Sequence, residues 1–147
     1  MDHRVEILKT PEECEIFAKN ATDRKRPDLA LEARRKAVEM RVSTHETTTP
    51  AEADALAGVY AYEAMLTRKN GKKTRASATW QVVRRHGIIE AVQRALRQPA
   101  EPKTYETLVE MGLADLAFEA IVLRHTEAFS EDAIRVSQER MDEIAAA

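Results

Sequence analysis

The sequence predicts an all-α domain: a compact multi-helix bundle of about seven to eight helices, packed orthogonally or irregularly, with no sheet. Three observations lead there. Good helix formers dominate, while β-branched and aromatic residues are scarce, aromatics making up 5% of the chain. Only 4 Gly and 5 Pro interrupt it, and most stand at the expected ends of helices. No segment alternates apolar and polar residues with the period of two that a half-buried strand requires. At 147 residues, 44% apolar and 33% charged, the chain has enough apolar side chain for one core and lies outside the composition of disordered segments. A single domain over 1–147 is expected, with lobes 1–70 and 71–147 as a finer subdivision.

Each element has a local reason. Thr10-Pro11-Glu12-Glu13 joins a capping box to a proline in the first turn, starting a helix that carries Ile16 and Phe17 on one face and ends near Thr22. Arg26-Pro27-Asp28 opens the next, where Leu29, Leu31, Ala33, Ala37, Val38 and Met40 keep helical spacing as far as Val42. Residues 43–49 are a loop. Thr49-Pro50-Ala51-Glu52 repeats the start signal, and its helix runs to Asn70-Gly71, a pair suited to a left-handed stop. After the polar loop 72–75, a short helix from Ala76 to His86 turns Ala76, Trp80 and Val83 inward and ends at Gly87. Ile88, Ile89, Val92, Ala95 and Leu96 mark another. Pro99 and Pro102 break the chain before a short segment through Tyr105, Leu108 and Val109 that stops at Gly112. Leu113 to Arg124 is apolar on nearly every side, which predicts one central buried helix. Ser130-Glu131-Asp132 caps the last helix, with Ile134, Met141 and Ile144 inward.

Charge is spread unevenly along these elements. From Arg68 to Arg97 nine Lys/Arg accompany one carboxylate, Glu90, a window of +8 in a chain whose net charge is −2. Clustered cations suit a polyanion, because they release condensed counterions when they meet phosphates. The expected nucleic-acid-binding residues are Lys69, Lys72, Lys73, Thr74 and Arg75 around the loop, Arg84 and Arg85 closing one helix, and Arg94 and Arg97 on the next. Arg94 and Arg97 are three apart and share a face opposite the Ile88/Ile89/Val92/Leu96 stripe. Two short helices meeting at a glycine corner resemble, in layout, a helix-turn-helix, whose second helix is presented to the major groove. On that second helix Gln93 is the one amide able to read an adenine edge, so phosphate binding is expected over base readout. The strongest signal is the loop 72–75, since no helix cap requires its cations and the Thr74 and Ser77 hydroxyls add donors.

The same charges support a second reading. Arg68, Lys69, Arg84, Arg85 and Arg97 lie near helix C-termini, where the macrodipole favours cations whatever the function. Arg94 follows Glu90 by one turn, and Glu101, Glu106, Glu110, Asp115, Glu119 and Glu127 supply carboxylates that could neutralise the segment internally. The chain would then be a helical protein-interaction domain or homodimer with no nucleic-acid or catalytic role. Trp80, at helical spacing from Ala76 and Val83, reads as core rather than as a base-stacking platform.

Signatures of chemistry are missing, and the sequence leans away from an enzyme and from any cofactor. His3, His45, His86 and His125 have no metal-ligand spacing, Cys14 is alone, and no glycine-rich phosphate loop occurs. Catalysis would require His86, His125 and a carboxylate such as Glu119 to converge in one pocket. Cys14 lies one turn into its helix among Glu12, Glu13 and Glu15, which oppose thiolate formation, so a structural role is expected. A lone cysteine suits a reducing compartment, and neither a leader peptide nor a run of about eighteen apolar residues is visible. A cytoplasmic protein without membrane contact is the expectation.

Overall fold

Side-chain caps set four of the nine helix starts among the described residues. A computed structural model describes residues 1–146 apart from the side chain of Pro102, and among them all regular structure is helical. The elements are α1 (His3–Glu6), α2 (Pro11–Asp23), α3 (Pro27–Val42), α4 (Pro50–Asn70), α5 (Ser77–His86), α6 (Ile88–Arg97), α7 (Pro102–Glu110), α8 (Phe118–Arg124) and α9 (Glu131–Ala146). Single 3-10 turns at Ala114–Leu116 and Thr126–Ala128 flank α8. Thr10 Oγ1 accepts the Glu13 N–H at 3.1 Å while the Glu13 carboxylate accepts the Thr10 N–H at 3.2 Å, completing the capping box. Thr49 Oγ1 accepts the Glu52 N–H at 3.2 Å and Ser130 Oγ the Ala133 N–H at 3.1 Å. Each such cap is worth about 0.5–2 kcal/mol.

Three elements differ from expectation. The one-turn α1 is too short to show a periodic pattern, and α3 holds it: Lys36 Nζ donates to the Val5 and Glu6 carbonyls at 3.0 and 2.6 Å, and Glu32 Oε2 accepts the Asp2 N–H at 3.0 Å. The helix expected over Leu113–Arg124 is broken at Ala117, whose ψ of 143° is extended. The reason is a close approach to α4. A Cβ at Gly58 would stand 3.2 Å from the Leu116 carbonyl oxygen and 2.6 Å from Ile121 Cδ1, so this break lies against a glycine on α4 that leaves room for it. On α9 the fully covered positions are Ala133 and Ser137, with Ile134, Met141 and Ile144 half-buried.

Contacts divide the chain into two compact units, Met1–Glu46 and Thr47–Ala147. The division falls in the loop 43–49, while residues 70 and 71 lie inside the second unit. In the first, α2 and α3 pack along each other around Cys14, Ala18, Leu29, Ala30 and Ala33, with Val5 of α1 added. Their connection turns on Lys25, at φ 59°, where the Lys25 N–H bonds the Thr22 carbonyl and the Arg26 N–H the Ala21 carbonyl, a Schellman stop without its usual glycine. Burial pushes the Cys14 thiol pKa up, and its sulfur lies 3.8 Å from Met40 Sδ. In the second unit α4 packs against α6, α7, α8 and the Ala114–Leu116 turn, α9 covers α8 and α6, and α5 lies on α6. Val59, Val92, Leu113, Ile121 and Val122 are fully buried there, each worth about 1.5–3 kcal/mol relative to exposure.

Candidate nucleic-acid interface

The basic residues lie at the end of α4, in the loop that follows, and on α5 and α6. Helix α4 stops at Gly71 in the left-handed region, with its N–H on the Thr67 carbonyl at 2.9 Å. The loop after it is pinned at both ends. Thr67 Oγ1 accepts the Thr74 N–H at 3.0 Å; the Thr74 hydroxyl donates to the Lys72 carbonyl at 2.9 Å and accepts from Asn70 Nδ2 at 3.1 Å. At the other end Glu63 Oε2, on α4, accepts the Ala76 N–H and the Trp80 indole N–H, both at 2.8 Å, with Arg75 Nε 3.7 Å away. Helix α5 has no side-chain cap of its own. Glu63 therefore serves it from another helix, its carboxylate set against the N-terminal amide of Ala76.

Trp80 is core, 6% exposed, with its ring centroid 5.1 Å from that of Tyr60. With Trp80 turned inward, Ser77, Gln81, Arg84 and Arg85 stand exposed along the adjoining flank of α5. Gly87 then makes the corner at φ 88° and ψ 167°, a conformation that only glycine adopts without strain.

Carboxylates sort the remaining cations. Lys69 Nζ is 3.3 Å from Glu101 Oε2 and Arg68 Nη2 3.7 Å from Glu110 Oε2. Arg94 Nε and Arg97 Nη1 converge on Glu90 Oε1 at 3.2 and 3.4 Å, and Gln93 Nε2 donates to Glu90 Oε2 at 2.9 Å. The hydrogen bond from Arg94, helped by Gln93 and the charge of Arg97, holds the Glu90 carboxyl below its ordinary range. Gln93 is occupied at its other end too, its Oε1 accepting the Ser130 N–H at 2.8 Å. The amide expected to read adenine thus ties α6 to the start of α9. Lys72, Lys73, Arg84 and Arg85 are exposed, and no carboxylate of the described residues comes within salt-bridge distance of them.

No family model, curated protein or solved structure matches the chain.

The histidines do not converge. His125 Nε2 lies 2.7 Å from Asp54 Oδ2 and its Nδ1 3.6 Å from Glu127 Oε1, while His86 stands exposed at the end of α5. Glu119 faces Arg140 Nη1 at 4.0 Å rather than a histidine. Arg140 Nη2 in turn donates to the Leu96 and Gln98 carbonyls at 2.8 and 2.6 Å, closing the C-terminus of α6. Among the described residues no group of three or more His, Cys, Asp or Glu could hold a metal ion, and no helix is long and apolar enough to cross a membrane. Sequence reasoning missed the part played by Glu63. Its only signal was that no carboxylate lies between Glu63 and Glu90, so any acidic cap for α5 had to come from a neighbouring element.

Proposed function

We propose that the chain is a small cytoplasmic nucleic-acid-binding or accessory module that holds the phosphate backbone through Lys72, Lys73, Arg84 and Arg85. The observation that carries this reading is the exposure of these four cations away from every described carboxylate, while Arg94 and Arg97 are folded onto Glu90. Lys69 joins them, because its ion pair with Glu101 is open to solvent and such pairs are worth only about 0–1 kcal/mol, which a phosphate replaces readily, and Arg75 adds an exposed guanidinium although its partner Glu63 is largely buried. Thr74 shapes the loop, since its hydroxyl proton is taken by the Lys72 carbonyl. Arg94 and Arg97 contribute least. The cytoplasmic placement rests on the single buried cysteine, which a reducing compartment leaves undisturbed.

Fluorescence anisotropy with labelled duplex and single-stranded DNA and RNA at two salt concentrations tests the proposal. For about four phosphate contacts, affinity for a duplex falls on the order of 10²-fold when salt rises about fourfold. Binding that ignores salt, or that survives replacement of all four residues by Ala, refutes it.

A further inference from the structure

We infer that α5, not α6, is the helix offered to nucleic acid, and that its ligand is double-stranded DNA entered through the major groove. This rests on the polyanion reading above and names its substrate. Three features of the second unit support it.

The first is the surface of α5. Ser77, Gln81, Arg84 and Arg85 follow one another at i, i+4, i+7 and i+8 and share one exposed face, and α5 carries no carboxylate to repel phosphate. Lys72 and Lys73 precede this face and Arg84 and Arg85 end it, so cations flank a helix about 15 Å long, with Gln81 between them. An amide so placed has both the donor and the acceptor that an adenine edge requires. On α6 the corresponding face holds Glu90, and its amide, Gln93, is engaged at both ends.

The second is the lack of a stacking platform. Single strands are held largely by bases stacked on exposed aromatic rings. Trp80, the one aromatic of this segment, is buried against Tyr60 with its indole N–H on Glu63. The exposed large apolar side chains of the described residues are Met1, Ile7, Ile16 and Val109, none of them aromatic.

The third is shape. A helix with its side chains is about 10–12 Å across and matches the B-DNA major groove of about 12 Å. The deep, narrow major groove of an A-form RNA duplex does not admit it.

The test uses the full chain and four probes of one sequence: a DNA duplex, its single strand, the RNA duplex, and the DNA duplex carrying glucosylated 5-hydroxymethylcytosine, whose sugars fill the major groove. The plain DNA duplex is expected to bind at least about tenfold tighter than each of the others. Equal or tighter binding of the single strand, the RNA or the glucosylated duplex overturns the inference while leaving the polyanion reading intact. Failure of all four probes to bind overturns both. Gln81→Glu, at an exposed position and with folding checked by circular dichroism, should weaken duplex binding about tenfold by setting a carboxylate in the centre of the face. Unchanged affinity in that variant also counts against α5.

Discussion

Helices α5 and α6 are each 10 residues long, end in basic residues and pack on one another across Gly87, yet they present different surfaces. Helix α6 buries a stripe of Ile88, Ala91, Val92 and Leu96, and its arginines fold back onto Glu90. Helix α5 buries only Trp80 and leaves Arg84 and Arg85 in solvent. A count of charge along the chain treats the two alike. What separates them is one carboxylate at helical spacing: Glu90 lies one turn from Arg94 and two from Arg97, whereas Glu63, the carboxylate hydrogen-bonded at the start of α5, is spent on the Ala76 N–H and on Trp80.

The largest effect that would break this comparison is the loss of the seat of α5. Trp80→Ala is expected to cost about 3–5 kcal/mol in chemical denaturation, because one large side chain holds α5 where four hold α6. Next, the combined variant Lys72→Ala, Lys73→Ala, Arg84→Ala and Arg85→Ala should lose on the order of 10²-fold in duplex affinity at low salt. Its melting temperature should stay close to that of the native chain, since all four side chains are exposed.

Smaller effects sharpen the contrast from the side of α6. Glu90→Gln frees two arginines and should tighten duplex binding severalfold, whereas Arg94→Ala with Arg97→Ala should change it by less than about threefold. Anisotropy titrations measure both, and a larger loss in the double variant would place the interface on α6 instead. The smallest effect is in pH. Because the Glu90 pKa is lowered in the folded chain, the stability it contributes is complete above its ordinary value of 4.5 and disappears as pH falls through the lowered one. The melting-temperature difference between native and Glu90→Gln chains should therefore shrink as pH is brought from neutral toward 3.

Much of the fold was legible because it is written in short-range signals. Thr10-Pro11, Thr49-Pro50 and Ser130 cap helices through hydrogen bonds that span three residues, and Asn70-Gly71 stops one through a single backbone conformation. The exceptions share a cause. Helix α1 depends on Lys36, which lies some thirty residues further on, and the break at Ala117 lies against Gly58 on another helix. Within the candidate interface the pairing of Arg94 with Glu90 was readable as a one-turn contact. The pairings of Lys69 with Glu101 and Arg68 with Glu110 required α4 to meet α7.

By itself the sequence determined that the chain is helical, where most of its helices begin and end, and which thirty residues carry a local excess of positive charge. Those properties follow from local backbone preferences and composition, which act over a few residues and survive any arrangement in space. The tertiary structure decided which of the cations remain open. That choice depends on side chains brought within 4 Å from distant positions, and charge interactions fall off with distance through space rather than along the chain.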